Sequence, residues 1–177
     1  MPAGERVEVV DKDDRVVGAA TLADCLSRGL LHRAVAVAIS RSDGRVILQQ
    51  RSRRDAWHPG RWTLSCTGHV KEGETYAQAA ARELLEELGI DALLTPVRKY
   101  LLPTIRDGRL TENEWVTLFS ATSDARVDAD PVELEGVKEF TSVELREMLE
   151  GEELTPDSVF LLSEYLRAGP SARNSGV

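Results

Sequence analysis

Apolar residues recur at two spacings along the chain, every second residue in some segments and every third or fourth in others, which predicts both strands and helices. The strand pattern covers 7–11, two segments joined across Ser42-Asp43-Gly44, 62–70, 92–104, 111–122 and 137–142. The Asp43-Gly44 pair favours a hairpin, because both residue types tolerate a positive φ angle. The helical pattern covers 21–29, 74–89, 142–152 and 155–169, with Thr21, Ser142 and either Thr155 or Asp157 as N-caps.

The segment 74–89 has the strongest helical pattern. At about 100° per residue, five apolar side chains form one arc, and these are Ala77, Ala81, Leu84, Leu85 and Leu88. Glu83, Glu86 and Glu87 lie on the opposite side, within roughly 100° of one another. Gly89 is suited to the left-handed conformation that ends a helix. One face of this helix is therefore expected to pack on the core and the other to present carboxylates.

The predicted elements form a mixed β-sheet flanked by helices, an α/β (α+β) fold arranged as an α/β/α sandwich. A chain of 177 residues, of which 42% are hydrophobic, is large enough for one hydrophobic core. The pattern contains no internal repeat or interdomain linker, so residues 1–167 are expected to form a single domain. The polar segment 168–177 is expected to be a disordered tail.

The charge balance disfavours nucleic-acid and anionic-membrane partners, because the net charge is −8 and the pI is near 5.0. The basic stretch 49–54 is expected to be a solvated loop or a local phosphate-binding segment. The longest apolar run, 34–39, is too short to cross a bilayer, and the N-terminus lacks a signal-peptide pattern. Cys25 and Cys66 are expected to be reduced thiols. We therefore expect a soluble cytoplasmic protein.

Glu83, Glu86 and Glu87 occupy the last turns of helix 74–89, where the helix dipole is negative. Like charges three or four residues apart destabilise a helix by about 0.2–0.5 kcal/mol per pair. A divalent cation would offset this repulsion, and oxygen ligands favour Mg²⁺ or Mn²⁺, which also bind substrate phosphates. Arg82 lies one turn before Glu86 and is expected to orient it. The alternative is an acidic helix end that faces solvent.

The spacing around this helix resembles the signature of the Nudix hydrolases. Segment 68–90 contains Gly, five residues, Glu, seven residues, Arg-Glu-Leu, one residue, Glu-Glu, one residue and Gly-Ile, and all nine fixed positions match. The resemblance implies a Nudix-type α/β/α sandwich that hydrolyses an organic diphosphate with Mg²⁺ or Mn²⁺. It also implies that the three glutamates and the Gly68 carbonyl bind metal, that Arg82 orients the glutamates and that Glu74 supports the loop.

A wider resemblance, over about 7–165, connects the chain to the isopentenyl-diphosphate isomerases, which share the Nudix fold, and to related hydrolases. It rests on RGLLHRAVAVAI, WHPGRW, GHV and ENE. It implies that His32, His69, Glu112 and Glu114 bind metal. On a single strand, Glu112 and Glu114 would point to the same side. The alternatives are an exposed edge strand for the two glutamates and a hydrogen-bonded core residue for His32.

Four features depart from the isomerase pattern. The isomerases have a cysteine immediately before the Gly-His pair, where this chain has Thr67, and Cys66 should point to the opposite face of its strand. Cys25 replaces a further metal-binding histidine, and Asp55 replaces a phosphate-binding lysine. The Nudix signature is intact here, whereas it is degraded in the isomerases. Hydrolysis is therefore the favoured prediction.

The function predicted from the sequence is a metal-dependent Nudix hydrolase that cleaves a phosphoanhydride bond of a nucleoside or isoprenoid diphosphate by water attack. Glu112 or Glu114 is the candidate general base. Arg51 is the candidate phosphate ligand, helped by Arg53 or Arg54. Aromatic residues expected either in the pocket wall or in the core are Trp57, Trp62, Trp115 and Tyr100. The alternatives are an isopentenyl-diphosphate delta-isomerase and a non-catalytic nucleotide-binding Nudix domain. A monomer or homodimer is expected.

Overall fold

The computed structural model describes residues 4–55, 57–129 and 134–169. Within these ranges the helices are α1 (Leu22–Arg28), α2 (Tyr76–Leu88), α3 (Ser142–Glu150) and α4 (Pro156–Ala168). The strands are β1 (Arg6–Val10), β2 (Val16–Thr21), β3 (His32–Ser40), β4 (Val46–Arg51), β5 (Trp62–Thr63), β6 (Cys66–His69), β7 (Thr95–Leu101), β8 (Ile105–Asp107), β9 (Leu110–Glu112), β10 (Glu114–Thr122) and β11 (Leu134–Phe140).

Strand β3 lies at the centre of the main sheet. It pairs in parallel with β10 and antiparallel with β1, β4 and β6, and β10 pairs antiparallel with β7. Every residue of β3 except Arg33 is buried, as expected for a strand covered on both faces. The mixed sheet predicted from the sequence is confirmed.

Alternate residues of β3 belong to two hydrophobic clusters on opposite faces of the sheet. Ala34, Ala36 and Ala38 share a cluster with residues of α3 and α4. Val35, Val37 and Ile39 share the other cluster with residues of α2. Helices therefore cover both faces of the sheet, which confirms the predicted α/β/α arrangement.

The buried face of α2 differs from the predicted one. The buried residues of this helix are Ala79, Ala80, Leu84, Glu87 and Leu88. Ala77 and Ala81 are exposed, and Leu85 is 57% exposed. The helix is rotated so that the side bearing Glu87 approaches the sheet, an arrangement that apolar periodicity alone does not detect because a carboxylate occupies the buried position.

The strand predicted over 111–122 is broken at Asn113, which separates β9 from β10. The backbone carbonyl of Asn113 accepts a hydrogen bond from the amide of His32 at 3.1 Å, and its side-chain nitrogen donates to the Gly29 carbonyl at 3.2 Å. These bonds hold the interruption in place. The β8–β9 hairpin and strand β2 were absent from the predicted elements; β2 has no buried residue and therefore lacks the alternation that marks a strand.

The predicted caps at Thr21 and Thr155 are confirmed, but the N-cap of α3 lies one residue before the predicted Ser142. Its N-cap is Thr141, whose hydroxyl accepts from the Glu144 amide at 3.3 Å while Glu144 Oε2 accepts from the Thr141 amide at 2.7 Å. This capping box explains the choice of threonine over the neighbouring Ser142.

The C-terminal end of the chain is described as far as residue 169. Residues 170–177 of the predicted disordered tail lie outside the described residues, so the tail stays a prediction. None of the helices within 4–55, 57–129 and 134–169 is long and apolar enough to cross a membrane.

Candidate active site

A cavity of about 690 Å³ opens between the second half of α2, strand β6 and the start of β10. Its volume is in the usual range for small-molecule sites, roughly 300–1,000 Å³. The predicted site residues along its wall are Arg51, Gly68, His69, Arg82, Glu83, Glu86, Glu87, Glu112 and Glu114. His32 is fully buried and contacts Glu114. The structure thus brings the Nudix-type glutamates and the isomerase-type ligand set into one cavity.

Arg82 gathers the carboxylates at the end of α2. Its Nη1 donates to Glu83 Oε1 at 2.6 Å and to Glu86 Oε2 at 3.2 Å. Its Nε and Nη2 donate to the two oxygens of Glu74 at 2.8 and 2.9 Å, and Nη2 also donates to the His69 carbonyl at 3.1 Å. The predicted orientation of Glu86 by Arg82 is therefore present, together with a fixed connection between the helix and the loop before it.

Gly68 is required where β6 passes α2. A Cβ atom at this position would lie 2.2 Å from Glu83 Cδ and 2.4 Å from its Oε1. Such contacts are far shorter than non-bonded carbon atoms allow, so any larger residue would push Glu83 aside. The glycine brings the backbone of β6 against the Glu83 side chain, which is the proximity that a shared metal site requires.

Burial makes the charged forms of two glutamates unfavourable. It raises the pKa of Glu87 to about 7, an effect to which the Glu83 charge adds and which the hydrogen bond from Gln49 partly offsets. It also raises the pKa of Glu83, although the interaction with Arg82 acts in the opposite direction. A nearby cation favours the ionised form of a carboxylate, so the environment of Glu87 suits a bound divalent ion.

A second group of possible ligands consists of His32, His69 and Glu114. Their ligand atoms all lie within 4.8 Å of one another. The parallel pairing of β10 with β3 places Glu114 opposite His32, and the antiparallel pairing of β6 with β3 places His69 opposite Ala34. The Nε2 atoms of His32 and His69 each lie 3.2 Å from Glu114 Oε1. Three residues distant in sequence thus converge through strand pairing.

The tautomer of His32 leaves Nε2 available for a ligand. Its Nδ1 lies 2.9 Å from the Leu30 carbonyl oxygen, which can only accept, so Nδ1 carries the proton. In the neutral ring Nε2 is then the unprotonated nitrogen, whereas in the imidazolium that Glu114 favours Nε2 carries a proton and faces Glu114 Oε1. It is buried and has no partner with hydrogen-bond geometry despite its approach to Glu114. A buried lone pair without a donor is what a metal-binding imidazole presents.

The ionisation states of His32, His69 and Glu114 depend strongly on one another. Burial alone would raise the pKa of Glu114, but the two imidazoles outweigh burial and lower it. Burial alone would lower the pKa of His32, but Glu114 outweighs that effect and raises it. Glu114 is thereby held as a carboxylate, the form that binds metal.

Glu112 reaches the same cavity from a different sheet. The sequence predicted one strand carrying Glu112 and Glu114 on one side, whereas Glu112 ends β9 and Glu114 begins β10. Both nevertheless line the cavity. Burial raises the pKa of Glu112, and the charges of Glu114 and Asp157 raise it further.

Both groups fit divalent cations by the chemistry of their donors. Carboxylate oxygens around Glu83 and Glu87 suit Mg²⁺ or Mn²⁺, and two imidazoles with a carboxylate suit a transition-metal ion such as Mn²⁺. The unpartnered Nε2 of His32 is the atom that most directly requires such a ligand.

Arg51 is the predicted phosphate ligand that lies at the cavity. Its Nη2 donates to Asp55 Oδ2 at 2.6 Å and its Nε donates to the Trp57 carbonyl at 2.9 Å. Asp55, which occupies the lysine position of the isomerases, therefore pairs with this arginine. Trp57 is buried and lines the cavity, as one of its two predicted placements allowed.

Two candidate substrate contacts, Arg53 and Trp62, are absent from the cavity lining, whereas Arg54, the alternative to Arg53, lies on it. The Arg53 side chain is 79% exposed, and its Nε lies 3.7 Å from Glu135 Oε1. Trp62 packs edge-on against Phe140, with 5.3 Å between ring centroids. The pairing of β5 with β4 turns Trp62 toward the α3–α4 cluster.

Trp115 and Tyr100 are likewise absent from the cavity lining. Tyr100 packs against the α3–α4 cluster, which is the other placement predicted for it. The indole nitrogen of Trp115 donates to the Asp11 carbonyl at 3.3 Å. The Tyr100 hydroxyl donates to Glu164 Oε2 at 3.0 Å. The Trp115 bond joins β10 to the β1–β2 turn, and the Tyr100 bond joins β7 to α4.

Sequence reasoning missed Gln49 and gave Asp157 only a capping role, although both line the cavity. Gln49 Nε2 donates to Glu87 Oε2 at 3.0 Å. Asp157 is close enough to Glu112 for its charge to raise the pKa of that residue. The sequence did contain a signal for Gln49, because it is a polar residue at a buried position of a predicted strand. Its partner Glu87 is distant in sequence, so the sequence did not indicate what Gln49 contacts.

Comparisons with known proteins agree with this geometry. The NUDIX domain model matches residues 30–161. The chain is 38% identical over 149 residues to the isopentenyl-diphosphate Delta-isomerase of Nocardia farcinica, which covers 82% of this chain and 85% of that protein. It is 36% identical over 166 residues to an uncharacterized Nudix hydrolase of Pseudomonas aeruginosa, with 93% and 95% covered.

The crystal structure of DR0079 from Deinococcus radiodurans has a TM-score of 0.75 with this chain at 24% identity, with 90% of this chain and 98% of that one covered. This likeness shows a shared fold. The matched family model includes the strand, loop and helix on which the signature glutamates lie. The chain belongs to the Nudix family.

Proposed function

We propose that this protein is a divalent-metal-dependent hydrolase that cleaves a phosphoanhydride bond of an organic diphosphate with water as the nucleophile. The observation that carries the proposal is the intact set of signature glutamates, gathered by Arg82 along the wall of a cavity large enough for such a substrate. Membership of the Nudix family supports a hydrolase in general terms, and relatives named isomerases support the second candidate below.

Glu83, Glu86 and Glu87 would hold Mg²⁺ or Mn²⁺ together with the Gly68 carbonyl, and His32, His69 and Glu114 would hold a further ion with Glu112 nearby. A bound cation supplies neutralisation of phosphate charge and a lowered pKa of bound water. Arg82 keeps the carboxylates of α2 in place, and the Leu30 carbonyl fixes the His32 tautomer.

Glu112 is the general base that we favour over Glu114. Oε1 of Glu114 already lies 3.2 Å from two imidazoles. Glu112 lines the cavity and has no ion pair within the described part of the chain. Burial and the neighbouring carboxylates raise the pKa of Glu112 to about 10, so Glu112 would be protonated near pH 7 without metal. Bound cations would lower this pKa toward the working pH and make Glu112 a proton acceptor.

Arg51 is placed to hold the terminal phosphate of the substrate, since its guanidinium lines the cavity and is oriented by Asp55. A protein with a net charge of −8 needs such local positive groups, in addition to cations, to bind a diphosphate. We propose a nucleoside or isoprenoid diphosphate as substrate. A cytoplasmic location and a monomeric or homodimeric state stay predictions.

Isomerisation of isopentenyl diphosphate is the second candidate function, because relatives over most of the chain carry that name. The residue at the position of the isomerase cysteine is Thr67, which lines the cavity. Cys66 is fully buried in the cluster on the α2 side, and burial raises the pKa of its thiol well above the usual value. A hydroxyl in the cavity and a buried, protonated thiol favour hydrolysis over proton exchange.

A substrate screen with Mg²⁺ tests these alternatives. Isopentenyl and geranyl diphosphates, nucleoside di- and triphosphates, ADP-ribose, dinucleotides and coenzyme A would be incubated in oxygen-18 water and followed by phosphorus NMR. We expect a diphosphate to be cleaved with the label on one phosphorus, and we expect Glu83→Gln to abolish cleavage.

The same experiment in heavy water identifies the other outcomes. Deuterium in dimethylallyl diphosphate without phosphate release would show an isomerase. Binding of a nucleotide with no product from any compound would indicate the non-catalytic Nudix domain. Either result would contradict the proposed hydrolysis.

A further inference from the structure

Gln49 is a buried polar residue of β4 that the proposed function leaves without a role. Its side chain is 2% exposed, and it lines the cavity. It lies on the same side of β4 as Ile47, which packs in the cluster on the α2 side. Burying an amide is unfavourable unless its polar atoms have partners, so the partners of this side chain indicate what it does.

Two nitrogen donors converge on one oxygen of Glu87. Gln49 Nε2 donates to Glu87 Oε2 at 3.0 Å, and the backbone amide of Thr67 donates to the same oxygen at 3.4 Å. The Cys66 thiol is a further hydrogen-bond partner of the Glu87 carboxylate. No N–H donor among the described residues reaches Oε1. A carboxylate held through one oxygen presents the other in a fixed direction.

The other end of the Gln49 amide has no partner. Its Oε1 is buried and makes no hydrogen bond with the described residues. An amide with a purely structural role would have both ends satisfied by the protein. The free acceptor faces a site in which bound cations would bring water molecules, which are hydrogen-bond donors.

We propose that Gln49 is a positioning residue of the metal site. Its Nε2 holds Oε2 of Glu87, which would leave Oε1 available to a bound cation, and its own Oε1 would accept a hydrogen bond from a water molecule that such a cation carries. The inference rests on the metal-binding part of the proposed function and is independent of which bond is cleaved. Residues that orient a metal ligand affect metal affinity nearly as directly as the ligand itself.

The test compares Gln49→Met with Gln50→Met. Methionine has nearly the same length as glutamine but neither an amide donor nor an amide acceptor. Gln50 is the matched control, because it is the next residue of β4, points to the other face and donates to the Gly60 carbonyl at 2.9 Å. Mn²⁺ binding would be measured by electron paramagnetic resonance without substrate, and thermal unfolding would establish that each variant is folded.

We expect Gln49→Met to weaken Mn²⁺ binding by about 10- to 100-fold, while Gln50→Met stays within about twofold of the wild type. In turnover assays of Gln49→Met, the Mn²⁺ concentration that gives half the maximal rate should rise by a larger factor than the factor by which kcat falls. If Gln49→Met does not fold, Gln49→Asn would be tested instead, because it retains the amide but is one methylene too short to reach Glu87 in the same way. We expect Gln49→Asn also to weaken Mn²⁺ binding.

A folded Gln49 variant with wild-type Mn²⁺ affinity would overturn the proposal. Weakened Mn²⁺ binding in a protein that cleaves no diphosphate would support the positioning role and refute the hydrolase assignment. A wild-type protein that binds no Mn²⁺ would overturn both.

Discussion

Arg82 offsets much of the repulsion among the glutamates of α2 within the chain itself. Its guanidinium reaches Glu74, Glu83 and Glu86 at distances from 2.6 to 3.2 Å, which the planar five-donor group permits and a lysine would not. Glu87 has no contact of this kind and depends on Gln49 and the Thr67 amide. It is therefore the signature glutamate whose charge a cation would stabilise most.

We expect that a single methyl group added at Gly68 would abolish metal binding by the glutamates of α2. In Gly68→Ala, the new Cβ would meet Glu83 Cδ at 2.2 Å, so the Glu83 side chain or β6 must move. We expect the free energy of unfolding to fall by about 1–3 kcal/mol, measured by urea unfolding. We also expect loss of Mn²⁺ binding, measured by electron paramagnetic resonance. Gly18→Ala is the control, because a Cβ at Gly18 has no neighbour within 4 Å. Wild-type Mn²⁺ affinity in Gly68→Ala would contradict the placement of Glu83.

The elements and site residues that depend on only one contiguous segment of the chain could be predicted from the sequence. The signature residues lie on one strand, loop and helix, so spacing alone identified them. The buried face of α2 depends on its packing against the sheet. The break at Asn113 and the contacts of Trp62 and Trp115 depend on pairing between strands that are distant in sequence. Gln49 was missed for the same reason, since its partner Glu87 is 38 residues away.

Asp14 joins four elements at one point beside the sheet. Its carboxylate accepts from Arg33 Nε and Lys99 Nζ at 2.6 Å each and from the Tyr76 hydroxyl at 3.1 Å. These donors belong to β3, β7 and α2, whereas Asp14 lies in the β1–β2 turn. The residue also has a φ of 60°, a conformation that aspartate and asparagine tolerate.

Replacing Asp14 by asparagine should reveal the contribution of this charge. Burial alone would raise the pKa of Asp14, but Lys99 and Arg33 outweigh burial and lower it. The ionised group therefore stabilises the folded protein above the unfolded pKa, near 3.9, and this stabilisation is lost as the pH falls through the lower folded pKa. We expect Asp14→Asn to cost about 1.5–3 kcal/mol at pH 7 in urea unfolding.

The difference between wild type and Asp14→Asn should shrink below about pH 4. Asp13→Asn is the control, because Asp13 pairs only with the exposed Arg15 side chain among the described residues, and its effect should stay below about 1 kcal/mol. An Asp14→Asn effect that is the same at pH 7 and pH 3 would show that charge is not responsible.

For the whole molecule, the arrangement of charge would make cation binding and folding interdependent. The net charge is −8, and the cavity wall contains Glu83, Glu86, Glu87, Glu112 and Glu114. Burial raises the pKa of Glu83, Glu87 and Glu112, so their ionised forms are costly in the metal-free protein. The core around β3 supports this wall with helices on both faces.

A ligand that binds only the folded state stabilises it by about 2.7 kcal/mol at a concentration 100 times its Kd. We therefore expect saturating Mn²⁺ to raise Tm by about 5–10 °C, measured by calorimetry against Na⁺ at equal ionic strength, with reversal by EDTA. Glu87→Gln should lose most of this shift, whereas Glu147→Gln, at an exposed position of α3, should keep it. If Mn²⁺ raised the Tm of Glu87→Gln and of the wild type equally, removal of the buried carboxylate would have left the binding free energy of Mn²⁺ unchanged. The ion would then bind elsewhere.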